Sequence, residues 1–348
     1  MSGPLYIPVL PTRPHAADAY RRLRPAIQNA VAPIWNLPPR PGLPRDALAA
    51  AVSRDLALVT KSQRYRPAWL DAPFADESEI PILTELLPLA SSLGPLRPVT
   101  GPGRSEAQQV GALTSARMSG DGLGIRVQVP GEWEGDLTDA VRDLLRRVDP
   151  AVPVDLLLDL AAVCAGRRDA GKEALHALDF LVPLVPWRKV AVLGGGFPHV
   201  TRDLLEEGLG EEPRADWQVW NEISESGRAY LSMLTYGDYG IQPAAALART
   251  PRSGNGGPPW GVIRYTTDRF FILGKMLTRG AERTAHNRAV TRQVLEHPRF
   301  RGPSAGSAEA WLRDCAYGLG SNGTGNSSTW LWVGNAQHMT YVVNSLRA

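Results

Sequence analysis

Eight short apolar runs, each followed by a stretch with helical spacing, lie between residues 5 and 236. They recur about every 26 to 42 residues, at 5–10, 33–37, 67–71, 97–100, 124–129, 154–160, 189–193 and 231–236. Eight such alternations over this span are typical of a closed (β/α)8 barrel. A doubly wound open sheet is the second possibility, but no glycine fingerprint of that fold follows the first run. The sequence therefore predicts an α/β fold built on a TIM-like barrel.

The residues after the eighth run do not continue the alternation. They indicate a β-hairpin at 261–277 and helical segments near 285–295, 308–319 and 338–346. We expect a C-terminal hairpin and helical extension, with Trp330, Trp332 and His338 packed on the barrel, because an exposed pair of Trp promotes association. The chain is then a single barrel-like domain, 1–348, in which residues 243–348 complete and cap the barrel.

The two-residue period of a strand predicts which side chains enter the barrel. One face of each strand is apolar because it packs on helices, and the other points into the lumen. In the fifth run, GIRVQV, this rule places Arg126 and Gln128 inside, and in the sixth, VDLLLDL, it places Asp155 and Asp159 inside. The third and eighth runs add Trp69, Asp71, Ser232, Leu234, Tyr236 and Asp238.

Such a lumen is more charged than the Val, Ile and Leu core of an ordinary barrel. Its charges must be paired or hydrated, because desolvating an unpaired charge costs several kcal/mol. Two interpretations stay open: an ion-pair network that only holds the barrel, or a functional site. The second gains support because the polar residues gather toward the carboxyl ends of the strands, where barrel sites lie. The candidate catalytic residues are Asp71, Arg126, Asp159 and Asp238.

Residues suited to ligand binding follow the seventh and eighth runs. Gly194, Gly195 and Gly196 lie where backbone N–H groups of barrels often bind phosphate, although a tight turn also explains three glycines. Residues 253–257, SGNGG, form a linker or the hinge of a lid. The other ligand-binding candidates are Tyr236, Tyr239, Arg264 and Tyr265.

Composition and charge disfavour several classes of protein. The formal net charge is only +3, and the basic stretch RRLRP at 21–25 fits a solvated helix face, so direct nucleic-acid binding is not indicated. Two distant cysteines, Cys164 and Cys315, argue against a disulfide scaffold or a structural zinc site. Because the chain has no signal peptide and no run of roughly 18 apolar residues, we expect a cytoplasmic protein without membrane contact.

Metal binding has little support in the sequence. None of the six histidines is paired at ligand spacing. Asp71, Asp159 and Asp238 offer the carboxylate oxygens that Mg²⁺ prefers, but we expect no metal site. No motif assigns a cofactor.

Several motifs resemble those of the Beta protein family, which is named from a gene of a temperate-phage satellite. They are LYIPVL and PIWNLPP near the start, VDLLLDL, GGGFP, TYGDYG and IRYT in the middle, and TWLWVGNAQHMTYVVNSL at 329–346. The resemblance spans nearly the whole chain. It implies a component of a mobile-element locus, and the satellite member sits in a cassette connected with exclusion of other phages. It implies no reaction and no catalytic residues.

Two functions therefore stay open. As a defence component, the protein would bind another protein encoded in the same locus. As an enzyme, it would act on an anionic, phosphorylated or nucleotide-like small molecule, since Arg126 and Arg264 offer planar donors suited to phosphate and a carboxylate offers a general base. A lumen plugged by Arg–Asp pairs favours the first function, and a deep opening at the strand ends favours the second.

Overall fold

Eight parallel strands form a closed barrel. The computed structural model describes residues 3–129, 131–163, 166–200, 208–250, 258–320 and 323–348, except for the side chains of 91–93. The strands in these ranges are β1 (Tyr6–Pro11), β2 (Ile34–Asn36), β3 (Ala68–Asp71), β4 (Leu96–Thr100), β5 (Leu123–Gln128), β6 (Val154–Ala162), β7 (Lys189–Gly195), β8 (Leu209–Pro213), β9 (Leu234–Asp238), β10 (Trp260–Thr266) and β11 (Phe270–Leu277). The helices are α1 (Pro14–Arg21), α2 (Pro25–Gln28), α3 (Arg45–Gln63), α4 (Ile80–Leu93), α5 (Glu106–Ser119), α6 (Gly135–Arg146), α7 (Ala170–Leu181), α8 (Ala215–Ser224), α9 (Arg283–Glu296), α10 (Ser307–Tyr317) and α11 (Ser327–Ser345).

The barrel closes because β1 pairs in parallel with β2 on one side and with β9 on the other. Val9 lies opposite Ile34, and Tyr6 lies opposite Tyr236. The strand order is β1-β2-β3-β4-β5-β6-β7-β9. The predicted TIM-like barrel is confirmed and the open sheet is excluded. Each of the eight predicted runs overlaps one of the barrel strands.

Side chains alternate between an inner and an outer layer in β5 and β6, as predicted. Arg126 hydrogen-bonds to Asp159 across the inner face. On the outer face, Leu156 and Leu158 belong to one buried cluster with Leu178 of α7. The apolar middle of the lumen includes Ile7, Val9, Ile34, Trp69, Leu157 and Leu193. Gln128 is exposed and lines a cavity beside Arg126, Gly101 and Arg104 at the carboxyl rim.

The predicted orientation of the eighth barrel strand, which is β9, is wrong. Tyr236 packs outside the barrel wall, against two Trp rings of α8, and Asp238 contacts His338 of α11. Gly237 faces the lumen instead, since a Cβ added there would lie 2.4 Å from Leu193 Cδ2. The polar side chains at the carboxyl end of this strand, Tyr236 and Asp238, therefore point away from the lumen.

The register rule failed at β9 because polar residues of the C-terminal extension cover its outer face. On such a strand the apolar side no longer marks the outside, and a one-residue slip inverts every assignment. Ser232 is exposed in a 3₁₀ turn, Leu231–Met233, that precedes the strand. Leu234 packs with the outer apolar cluster. Both side chains were predicted to enter the lumen, and neither does.

The C-terminal extension builds a second, smaller sheet. The predicted hairpin is present as β10 and β11, and β8 pairs with β11 to give the order β10-β11-β8. Helix α9 packs on β11, and α11 packs on both β10 and α1. Trp330, Trp332 and His338 are buried, as predicted. That residues 1–348 form one domain stays a prediction.

None of the helices in the described ranges combines the length and apolarity needed to cross a bilayer.

Candidate functional site

Polar side chains from six positions meet at the carboxyl end of the barrel. Parallel strands bring their carboxyl ends to one rim, so residues far apart in sequence become neighbours. The set comprises the ends of β2 and β3, positions within β5 and β6, and the loops after β4 and β9. We call it the mouth cluster: Asn36, Asp71, Arg104, Arg126, Asp159 and Tyr239.

Arg126 is the centre of the mouth cluster. Its Nη1 donates to Asp71 Oδ2 at 2.7 Å and to Asn36 Oδ1 at 3.3 Å. Its Nε donates to Asp159 Oδ2 at 3.0 Å, and Nη2 lies 2.9 Å from the same oxygen. Nη2 also donates to Tyr239 Oη at 2.7 Å. One guanidinium thus joins four strands or loops across the lumen.

Arg104 supplies a second cation from the loop between β4 and α5. Its Nη2 donates to both carboxylate oxygens of Asp71, at 3.1 and 3.2 Å. The next residue, Ser105, starts α5 through a capping box with Gln108, which fixes the end of this loop. Two arginines therefore face two aspartates, and the mouth cluster is formally neutral.

The mouth cluster is almost completely buried. Arg126 is 5% exposed, and both Asp71 and Asp159 are 1% exposed. Burial by itself lowers the pKa of Arg126, but the charges of Asp159 and Asp71 outweigh it and hold that pKa well above its ordinary value. Burial also raises the pKa of Tyr239, which stays neutral at physiological pH. These two groups do not exchange protons near pH 7.

The backbone after Asp159 is bent to fit the mouth cluster. Ala161 has φ +52°, and the β6–β7 pairing is irregular between Asp159 and Ala162. A non-glycine residue in the left-handed region costs about 1–2 kcal/mol. Asp159 Oδ1 offsets part of this cost by accepting from Ala161 N at 2.8 Å, while also accepting from Tyr239 Oη at 2.7 Å.

A 3₁₀ turn, Ala244–Ala248, covers the mouth from the loop after β9. Ala244 and Leu247 pack into the apolar cluster of the lumen. A cavity of about 280 Å³ remains at the side, where β4 and β5 end. Its lining includes Gly101, Gly103, Arg104, Arg126 and Gln128. Among the described residues, the turn therefore covers the top of the mouth, and this cavity reaches Arg104 and Arg126 from the side.

A second buried polar network lies outside the barrel wall, between β9 and the extension. Asp238 accepts from Tyr6 Oη and from Gly240 N, the latter at 2.8 Å. His338 Nε2 lies 2.8 Å from Asp238 Oδ2, and its Nδ1 lies 2.9 Å from Thr266 Oγ1. We call these residues, with Tyr236, Asp216 and Arg214, the wall network.

The wall network ties the barrel to the extension. Burial raises the pKa of Asp238, but the charge and hydrogen bond of His338 and the bonds from Tyr6 and Gly240 bring that pKa below its ordinary value. Asp238 is therefore an acceptor held in place by β1, β9 and α11. It does not join Asp71 and Asp159, so the grouping of three carboxylates considered for Mg²⁺ is wrong. In the part of the chain that the structure describes, there is no group of three or more His, Cys, Asp or Glu side chains that could hold a metal ion.

The predicted ligand-binding residues divide among different surroundings. Tyr239 belongs to the mouth cluster and Tyr236 to the wall network. Tyr265 lies in the outer core, where its hydroxyl accepts from Arg301 N at 3.0 Å. Arg264 stacks on the ring of Phe197 at 5.2 Å, and burial lowers its pKa to about 10.

The three glycines at the end of β7, Gly194 and Gly195 within the strand and Gly196 directly after it, are buried and closely packed. A Cβ on Gly195 would lie 2.9 Å from that of Ala244, and one on Gly196 would lie 2.0 Å from Asp216 Oδ1. Packing is thus enough to require glycine at 195 and 196, and phosphate binding at 194–196 stays a prediction. The predicted linker at 253–257 and Cys164 lie outside the described residues.

Sequence reasoning missed Asn36 and Arg104. Asn36 follows the alternation of β2, where Ile34 faces the lumen, so its inward position was available from the strand period. Arg104 lies in a loop, to which no period applies. Asp155 does face inward as predicted, but it lies at the amino end of β6, where it bonds to Trp69 Nε1 and Arg188 instead of joining Asp159.

Comparisons with known proteins agree with the motifs. No curated protein matches the chain. The family model described as Beta protein matches residues 6–344, nearly the whole length of the barrel and its extension. The chain belongs to the Beta protein family.

Proposed function

We propose that the protein is a component of an anti-phage defence or mobile-element locus. It works in the cytoplasm by binding a partner protein encoded in the same locus, and not by turnover at the barrel mouth. Membership of the Beta protein family supports a role in such a locus, because the resemblance implies one. The observation that supports binding over catalysis is the mouth cluster, in which both aspartates are already paired with arginine.

Acid–base catalysis needs a group that titrates near the working pH and that reaches a substrate. Arg126 and Tyr239 do not titrate there. Both oxygens of Asp159 are engaged, by Arg126, Tyr239 and the backbone of Ala161. The 3₁₀ turn Ala244–Ala248 covers the top of the cluster. Such a cluster is suited to holding a barrel together.

Conservative changes in the mouth cluster test this proposal. Arg126→Lys and Asp159→Asn keep the approximate shape of the side chains and break the ion-pair network. The matched control is Leu178→Ala, a fully buried residue of α7 in the outer apolar cluster, whose loss costs about 2–5 kcal/mol. Phage plating efficiency is measured at several growth temperatures, beside protein abundance and melting temperature.

If the cluster is structural, all three variants lose protection in proportion to their loss of stability. All three should regain protection at low growth temperature, where the protein folds again. If Arg126→Lys and Asp159→Asn remain folded but unprotective at every temperature while Leu178→Ala recovers, the cluster takes part in chemistry and the proposal is wrong. The partner is sought by affinity purification of the tagged protein from infected cells. Full protection in a strain that carries this gene alone would also contradict the need for a partner from the same locus.

A second candidate function is an enzyme or receptor for an anionic small molecule at the mouth. It is favoured by one observation, the side cavity lined by Arg104 and Arg126. Gln128 is exposed in that cavity, so Gln128→Ala should leave the melting temperature unchanged. Native mass spectrometry detects any phosphorylated compound that co-purifies with the protein. A compound that is bound to the unchanged protein and lost from Gln128→Ala would support this function. No bound compound in either protein would count against it.

A further inference from the structure

The amino end of the barrel, opposite the mouth cluster, carries a large open depression. Its cavity volume is about 1040 Å³, and it is bordered by the starts of β1, β3, β4, β6 and β7. Five cationic side chains and one carboxylate line it: Arg66, Arg97, Arg188, Lys189, Arg347 and Asp155. We call this surface the amino-end basin.

Cations outnumber carboxylates in the amino-end basin by four. Asp155, which is fully buried, is already engaged: Arg188 Nε donates to it at 2.8 Å, and Arg97 Nη1 lies 3.7 Å away. Within the described ranges, no carboxylate pairs with Lys189 or Arg347. Concave surfaces of one charge concentrate the field and attract ligands of the opposite charge. The basin therefore favours an anion with several charges.

Two of the arginines are held in fixed positions. Arg97 lies over the ring of Trp69 at 5.3 Å, and Trp69 Nε1 donates to Asp155 Oδ2 at 2.9 Å. Arg188 grips the same carboxylate through Nε and Nη2 and also donates to Asp121 O at 2.7 Å. Because these side chains are already ordered, a ligand would not meet the entropic cost of fixing them. Arginine is also suited to phosphate by its planar array of donors.

Tyr65 adds an aromatic surface beside the cations. Its side chain is 94% exposed and lines the basin next to Arg66. The preceding residue, Arg64, has φ +50°, a backbone conformation that turns the chain sharply after α3. An exposed ring next to a positive groove is the arrangement on which unpaired bases stack in proteins that bind single strands.

We propose that the amino-end basin binds a single strand of nucleic acid, with its cations on successive phosphates and Tyr65 stacked on a base. The number of cations is greater than one phosphate group needs, and the exposed ring calls for a base that is not covered by its neighbours. The linear sequence does not reveal this site because its cations come from positions 66, 97, 188, 189 and 347. Binding here is separate from the proposed defence role and is measured on the purified protein without phage.

The test is fluorescence anisotropy with labelled single-stranded DNA and RNA of about twelve nucleotides, over about 50 to 200 mM salt. Tyr65→Ala should weaken binding about 5- to 150-fold, the range expected for one stacked base. Lys189→Ala should weaken binding and reduce the slope of log K against log salt by about 0.7, the value for one phosphate contact on a single strand. The matched controls are Tyr317→Ala, 61% exposed on α10, and Lys172→Ala, exposed on α7. Both should bind as the unchanged protein does.

Several results would overturn the proposal. The proposal is wrong if the protein does not bind the strand at the lowest salt concentration. It is also wrong if all four variants bind with the affinity of the unchanged protein. Equal losses in Lys172→Ala and Lys189→Ala would mean that only general basicity attracts the strand. A duplex that binds as tightly as the single strand, or ATP that displaces the strand at equal concentration, would exclude a single-strand site. Because Tyr65 is almost fully exposed, its substitution remains decisive even if Lys189→Ala lowers the melting temperature.

Discussion

Arg126 donates hydrogen bonds from all three of its guanidinium nitrogens. Its acceptors come from β2, β3, β6 and the loop after β9, so this one side chain crosses the barrel where a typical barrel has a layer of aliphatic residues. A buried ion pair is a weak source of net stability, but removing one partner leaves the other buried and unpaired. The energetic effect of Arg126 therefore appears mainly when it is lost.

Arg126→Met should lower the free energy of unfolding by about 3–5 kcal/mol, because Asp71 and Asp159 lose their shared partner. The exchange Arg126→Asp with Asp159→Arg should not restore stability, since a carboxylate at 126 would then face Asp71. Urea denaturation measures both effects. Arg142→Met, in an exposed pair on α6, is the control and should change stability by no more than about 0.5 kcal/mol. A stable exchanged variant would contradict the three-residue geometry.

His15 on α1 is the residue most suited to a test of acid sensitivity. Burial, and then the charge of Arg13, lowers its pKa to about 4. In the unfolded chain it protonates near pH 6.5, so the unfolded state binds the proton first and stability falls as pH drops from about 6.5 to 4. His15→Gln should remove up to about 3 kcal/mol of that fall. The measurement is the midpoint of urea unfolding at several pH values, and equal slopes in both proteins would contradict the expectation.

At the scale of elements, α11 joins the barrel to its extension. It packs on α1 and β10 and carries His338 of the wall network. Trp330 is fully buried, and its Nε1 donates to Thr324 O at 2.9 Å. The helix is therefore part of the core although it lies outside the barrel.

Removing the chain after Gly323 should abolish the soluble fold, because it takes away the whole of α11. Trp330→Ala should destabilise by about 3–5 kcal/mol. Tyr317→Ala on α10, whose side chain is 61% exposed, serves as the control and should have little effect. Circular dichroism and thermal unfolding report both outcomes. A truncated protein that melts like the full chain would show that α11 only rests on the surface.

The same elements show how far the sequence could predict the structure. Strand period placed Arg126, Asp155 and Asp159 correctly because apolar helices cover the outer faces of β5 and β6. It failed for Tyr236 and Asp238 because a polar interface covers β9, and no local pattern separates such a face from a lumen. Arg104 could not be found because a loop has no period. The joining of β8 to the hairpin is a long-range pairing, which local sequence does not encode.

At the scale of the whole molecule, the barrel and the extension share buried polar contacts. Asp238 of β9, Tyr6 of β1 and His338 of α11 lie in one network. Buried hydrogen bonds of this kind cannot be exposed one side at a time without cost. We therefore expect the barrel and the extension to unfold together.

Equilibrium unfolding should show one transition, with the same midpoint by tryptophan fluorescence and by far-ultraviolet circular dichroism. His338→Ala should lower that midpoint and keep a single transition if the rest of the interface still couples the two parts. Ser328→Ala, at an exposed position in the first turn of α11, is the matched control on the same helix. Two separated transitions in the unchanged protein would mean that the barrel and extension are independent domains.

The closure of β1 against β9 has a consequence for the order of events during synthesis. Tyr6 leaves the ribosome about 230 residues before its pairing partner Tyr236, which corresponds to roughly 12 to 46 seconds of translation. Throughout that interval the nascent chain has one strand edge that no earlier segment can complete. The helix that then packs over α1 is made later still. A ribosome-bound chain stalled before residue 234 should therefore be digested readily by protease, whereas the released protein resists.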